Sequence, residues 1–215
     1  MQAVFPVFIY PLPNYSFTKF LKMTRQYKAD ILYVDGGIID MNPEQATFML
    51  KIWIPMLQKE HDTTKSVIQA VPLDKGDYRP DAVSKTALEL AWHIAASEQR
   101  FFHAVSSGAF DFTPIPCPDS VKNSADIVKW FDASFAESMA QVEKLSGDQL
   151  AKMLDFRGMF QWPAVAFLQL ATNHTIHHRG QLSVYLRPMG AKVPSIYGES
   201  YDAAQERLAK QQAQG

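Results

Sequence analysis

Apolar residues recur at intervals of three and four through four long stretches of the chain, the period of helices that bury one face. The first stretch runs from Glu44 to about Val71. Its stripe is Phe48, Ile52, Trp53, Met56, Leu57, Thr64, Val67, Ile68 and Val71, all apolar but Thr64. Asn42 before Pro43, with Gln45 three residues on, is the grammar of a capped helix start. Pro55 lies inside the run and predicts a kink, because its ring removes a hydrogen bond and crowds the preceding turn. Thr86 and Glu89 form a second capping box and open a helix to about Val105, with Leu90, His93, Ile94, Ser97 and Phe101 on its inner face. The third stretch, about Ser124 to Leu145, presents Ile127, Trp130, Phe131, Phe135, Met139 and Val142. The fourth starts at Pro163, stops at Pro188 and Gly190, and aligns Leu168, Ala171, His174, His178, Leu182 and Tyr185.

The connections "PLDKGDYRPDAVSK" and "SSGAFDFTPIPCPDS" are rich in turn residues, and "SGDQLAKMLDFRG" reads as a short helical turn and loop. Four long amphipathic segments with almost no strand signal define an all-α protein, a four-helix bundle. The bundle is expected over residues 41–202. A polar tail, residues 203–215, reads as a frayed helix or disordered chain. Residues 1–40 stand apart as a loosely attached extension. They offer only a short strand at Ile31 to Val34 and a Gly-Gly turn, and their three early prolines and missing positive charge make a poor signal peptide. Met41 directly precedes the Asn42 cap, so these residues are also readable as upstream sequence from a misassigned start. A peptide from residues 1–40 in the mass spectrum of the natural protein would refute that reading.

Composition adds exclusions. With 21 basic and 22 acidic residues and a net charge of −1, no nucleic-acid or anionic-membrane surface is expected. No run of 18 apolar residues exists, so no membrane span is expected. The single cysteine, Cys117, permits no internal disulfide and fits a reducing cytoplasm. The chain has no H-E-x-x-H, no E-x-x-H, no G-x-S-x-G and no Gly-rich phosphate loop.

Candidate chemistry sits in "NHTIHHRGQLSVYLRPMG", where three histidines fall within five residues of the fourth helix. His174 can share a face with His177 or with His178, and both spacings can chelate a divalent metal. The stripe favours His178, leaving His177 to one side for a second contact or the surface. A third ligand has to come from another helix, and His93 lies on the inner face of the second. Alone, His93 is as well explained by a hydrogen-bonded core histidine. Three imidazoles together are harder to satisfy without a metal. His61 and His103 lie off the stripes and are expected in solvent. Around the histidines, Ser97 is one turn from His93 and able to accept from it, or simply a small residue at a tight contact. Glu98 flanks the stripe, as a solvated carboxylate or a partner for Arg179. Glu60 points by period toward the same interior, and Tyr185 either lines a pocket or belongs to the core.

The segments "LELAWHIAASEQRFF", "NHTIHHRGQLSVYLRPMG" and "VPSIYG" resemble the DinB-like metalloproteins, a superfamily of damage-inducible four-helix proteins that includes bacillithiol- and mycothiol-dependent transferases. The resemblance spans roughly Met41 to Tyr201. It implies a divalent metal held by three histidines, which carry over to His93, His174 and His178, with Arg179, Gly180 and Gln181 completing the motif. Gly180 would then permit close helix packing, and Arg179 would serve as a structural ion-pair partner. Three neutral imidazoles leave an open coordination position. The implied function is a thiol-dependent S-transferase in which a low-molecular-weight thiol attacks an electrophilic small molecule. Metal-assisted hydrolysis is a second reading, and a non-catalytic metal-binding stress protein or homodimer module a third. Zinc ranks first as the metal and nickel next; iron and copper also accept imidazole.

Overall fold

The computed structural model describes residues 41–213, so the readings placed on residues 1–40 fall outside it. Four helices make the bundle: α1 (Pro43–Gln69), α2 (Ala87–Ser107), α3 (Ser124–Val142) and α5 (Ala166–Leu186). A one-turn helix α4 (Gly147–Ala151) and a hairpin of β1 (Met153–Phe156) and β2 (Phe160–Pro163) join α3 to α5, and α6 (Tyr201–Gln212) closes the described chain. Within the bundle α2 packs on α3 and α5, and α1 packs on α3, α4 and α5. No helix of the described residues is long and apolar enough to cross a membrane.

Both capping boxes form. The Asn42 carboxamide accepts from Gln45 N–H at 2.9 Å while the Gln45 side chain accepts from Asn42 N–H, and Thr86 and Glu89 exchange the same pair of bonds. Each satisfies donors that the first turn leaves free. Helix α1 runs on through the exposed Pro55. Gly190, at φ 78°, ends the fourth bundle helix as expected, with Ala191 N–H donating to the Leu186 carbonyl at 2.9 Å.

Three expectations change. Phe48, Ile52 and Met56 are exposed, and the buried face of α1 is Ala46, Leu50, Leu57, His61, Thr64, Val67 and Ile68. "MLDFRGMFQWP" forms a hairpin in place of a loop. Leu154 and Asp155 pair with Trp162 and Gln161, and Arg157 and Gly158 take φ of 58° and 68°, as primed turns require. Pro163 pairs with Met153 at the end of β2, so α5 begins three residues later, at Ala166. The carboxyl-terminal segment is helical to Gln212 and buries no residue. Arg187–Asp202 and Lys192–Glu206 ion pairs hold it.

The core is divided. One apolar cluster gathers Leu50, Phe101, Phe102, Phe135, Phe167 and Leu168; the other gathers Val67, Ile68, Ile94, Ile127, Leu182 and Leu186. Between them, at the middle of all four helices, lies a layer of polar side chains. His61 is only 3% exposed and places Nδ1 3.5 Å from Glu98 Oε1 and Nε2 3.0 Å from Asp132 Oδ1, with its ring stacked on Phe135. Thr175 donates to Glu98 Oε2 at 3.2 Å. Arg179, 1% exposed, donates to Glu60 Oε2 at 2.6 Å and to the hydroxyls of Thr64 and Tyr197. Buried charges are tolerated where such partners exist and are expensive otherwise. The expectation of a solvated His61 is therefore overturned: it is a partner of two carboxylates. His103 is exposed, as expected.

Candidate metal centre

Helices α2 and α5, packed face to face, bring His93, His174 and His178 together. One nitrogen from each lies within 4.8 Å of the others. His174 and His178 are successive-turn neighbours on α5, with ring centroids 4.4 Å apart, and His93 meets them from α2 at 5.0 and 4.5 Å. His93 Nε2 and His178 Nε2 are 3.1 Å apart.

Hydrogen bonds on the far side of two rings fix what faces inward. Gln181, one turn after His178, turns its carbonyl oxygen to within 2.7 Å of His178 Nδ1. That oxygen can only accept, so His178 carries its proton on Nδ1 and presents a bare Nε2 lone pair toward His93. Ser97 Oγ stands 3.5 Å from His93 Nδ1. A proton on His93 Nε2 would reconcile that pair without an ion, but it leaves His174 unanswered. Nδ1 of His174 is buried with no hydrogen-bond partner, a state that costs a neutral imidazole free energy. All three rings are held neutral. Burial pushes His93 down to about 4, helped by the charges of His178, Lys85 and Arg100, and pushes His174 to about 3, helped by the other histidines. Burial also lowers His178, against the opposing Gln181 bond. Neutral imidazole is the ligand form. Three nitrogens on a tetrahedral ion would sit about 3.4 Å apart, given metal–nitrogen bonds of 2.0–2.1 Å. The trio therefore fits a divalent ion with little rearrangement.

Two cavities reach this cluster. One, of about 850 Å³, is walled by Trp92, His93, Ala96, Ser97 and Arg100 of α2 and by the loop carrying Pro114, Ile115 and Cys117. The other, of about 440 Å³, is bounded by Ser84, Lys85, Leu90, His178, Gln181 and Tyr185. Lys85 lines both.

Tyr185 is a cavity wall beside His178 and points its hydroxyl at the Lys85 carbonyl. His177 is exposed, packs its ring edge-on against His178 at 4.8 Å between centroids, and accepts from or donates to no ligand ring, its hydrogen bond going to the Gln181 carboxamide nitrogen at 3.3 Å. Glu98 is buried against His61 and Thr175, while Glu60, not Glu98, is the carboxylate that pairs with Arg179. Neither carboxylate bonds the three histidines. A Cβ on Gly180 would meet nothing within 4 Å, so this glycine does not serve close packing. Sequence reading gave Gln181 no role, although its i+3 spacing from His178 was the available signal.

A helical bundle whose second and fourth long helices converge three imidazoles belongs to a recognisable class, and the chain is a member of the DinB family, whose profile matches residues 51–212. It is 29% identical over 132 residues to the uncharacterized protein YjoA of Bacillus subtilis (strain 168), covering 60% of this chain and 83% of that one. A second uncharacterized protein of the same strain, YrdA, is 28% identical over 167 residues, covering 75% and 90%. The crystal structure of the DinB-like YjoA aligns with a TM-score of 0.56 at 26% identity, over 66% of this chain and 95% of that one. A DinB-like protein from Bacillus cereus ATCC 10987 shares the fold, with a TM-score of 0.55 at 22% identity over 69% and 95%.

Proposed function

We propose that His93, His174 and His178 hold a divalent metal ion, zinc first and nickel next, and that the protein is a thiol-dependent S-transferase acting on electrophilic small molecules. The observation that carries this reading is the trio of neutral imidazoles whose nitrogens gather within 4.8 Å, with His93 at the wall of an 850 Å³ cavity and His178 at the wall of the smaller one. A closed structural site would add a fourth protein ligand, whereas three leave a position for another molecule. Bound there, the ion would supply a Lewis acid that lowers the pKa of a coordinated thiol at neutral pH. The protein's own residues do the rest. Gln181 and Ser97 orient the rings. Trp92, Ala96, Pro114 and Ile115 give the cavity apolar walls that shelter the sulfur from water. In the transfer a sulfur–carbon bond forms, the leaving group departs with its bonding pair, and the thiol proton passes to solvent. We assign residues 1–40 to an extension outside this unit.

Protein purified without a histidine tag is expected to carry about one metal ion per chain, lost in His93→Ala, His174→Ala and His178→Ala and kept in His177→Ala. A model electrophile assayed with each common cellular thiol should be consumed in a thiol-dependent way that vanishes in His93→Ala. Full metal occupancy in His93→Ala would overturn the trio. Metal-loaded protein that consumes electrophile with no thiol, or hydrolyses esters without one, would overturn S-transfer.

A further inference from the structure

The larger cavity continues well past His93, and its floor is one stripe of α2. His93, Ala96, Ser97 and Arg100 follow one another on the same face. Seven residues return a helix to nearly the same azimuth and advance it about 10 Å, so Arg100 marks the far end of a slot that begins at His93.

The guanidinium there is incompletely matched. Nη2 donates to the Thr113 carbonyl at 2.9 Å, Nε is buried without a partner, and among the described residues no carboxylate forms an ion pair with Arg100. Asp111, on the same loop, accepts from Thr113 N–H at 2.8 Å and feels the charge of Arg100 without forming an ion pair with it. The cavity's own carboxylates, Asp74, Asp77 and Glu89, belong to the opposite end. There Leu88 N–H donates to the Gly76 carbonyl and Glu89 closes the capping box. Lys85 stands beside Glu89 at the start of α2 and Lys122 near Cys117, so that end carries both signs; along the α2 stripe His93 is followed by Arg100, a cation with no ion-paired carboxylate, with apolar Trp92, Ala96, Pro114 and Ile115 between.

We infer that the cavity takes an elongated small molecule whose carboxylate pairs with Arg100 while its other end, about 10 Å away, reaches the three histidines. This deepens the metal-site reading and rests on it for the histidine end only. A single guanidinium matches a singly charged, planar carboxylate better than a doubly charged phosphate, which would need further cations at that end. Arg100 is then a specificity residue: it selects which thiol or electrophile is held in line with the site.

The probe is suberate, a straight-chain dicarboxylate of matching length, measured by calorimetry on zinc-loaded protein. Arg100→Gln should weaken suberate about tenfold or more, the usual scale for losing a charge-assisted bond. Arg100→Lys should retain most of the affinity, and zinc content should stay unchanged in both. Equal suberate affinity in wild type and Arg100→Gln, with both variants folded by circular dichroism, would overturn the assignment. So would tighter binding of the corresponding phosphonate. Failure of the metal reading would show separately, as wild-type protein that binds no zinc. The Arg100 end is then read in metal-free protein, where suberate should slow alkylation of Cys117, which lines the same cavity, in wild type but not in Arg100→Gln. Undiminished alkylation in wild type would refute the site independently of any metal.

Discussion

Gln181 offers the sharpest test of how the site is built, because it is exposed and can be altered without touching the core. Its carbonyl oxygen accepts from His178 Nδ1 at 2.7 Å, which fixes the tautomer that leaves Nε2 free, and its nitrogen is steadied by His177 at 3.3 Å. Gln181→Leu keeps the side-chain volume and removes the acceptor. Partners of ligating histidines are commonly worth 10–100-fold in metal affinity. The solvent exposure of Gln181 puts the expected loss at the low end, about tenfold or ~1.4 kcal/mol. Gln181→Glu should move the other way, since a carboxylate is the stronger acceptor and raises the basicity of Nε2. The assay is a competition titration of zinc against a chromophoric chelator at pH 7, with urea unfolding of the metal-free proteins as control. The metal-free stabilities should stay within about 0.5 kcal/mol of wild type, as for other exposed substitutions. Unchanged zinc affinity in Gln181→Leu, or weaker binding in Gln181→Glu, would refute the tautomer argument even if the protein binds zinc tightly.

Two further outcomes concern the polar layer and its titration. His61→Ala should destabilise the protein by about 3 kcal/mol in urea, by opening a cavity beside Phe131 and Phe135 and leaving the buried Glu98 with Thr175 alone; a loss under about 1 kcal/mol would mean that solvent already reaches the ring. Metal-free protein should lose stability on acidification from about pH 6.5 toward pH 5, above the main carboxylate titrations. The sign follows from His93 and His174, whose folded values of about 4 and about 3 lie below the ordinary imidazole value, so that the unfolded chain binds more protons throughout that window. A urea midpoint that stays flat or rises over this range would contradict the burial of these rings.

What the sequence disclosed and what it withheld have physical causes. The capping boxes at Asn42 and Thr86 were legible because they satisfy local donors with residues three apart, whatever surrounds them. The convergence of His93, His174 and His178 was legible because each stands on an otherwise apolar stripe. The inner face of α1 was misdrawn for the converse reason. Phe48, Ile52 and Met56 are more apolar than His61 and Thr64, yet exposed hydrophobes are ordinary while buried polar groups require partners. Those partners, Glu98, Asp132, Thr175 and Arg179, lie on three other helices and have no local signature. The hairpin was hidden because four-residue strands carry too short a pattern to outweigh a Gly-containing loop.

The contact between His93 and His178 joins positions 85 residues apart. Ribosomal synthesis delivers α1, α2 and α3 long before α5, and a nascent chain at that stage owns a single imidazole of the trio. Closure of so long a loop comes late in assembly, so the three-nitrogen cluster exists only once the bundle is complete. Capture of an ion by all three histidines would therefore act as a checkpoint, separating finished molecules from truncated or misregistered ones.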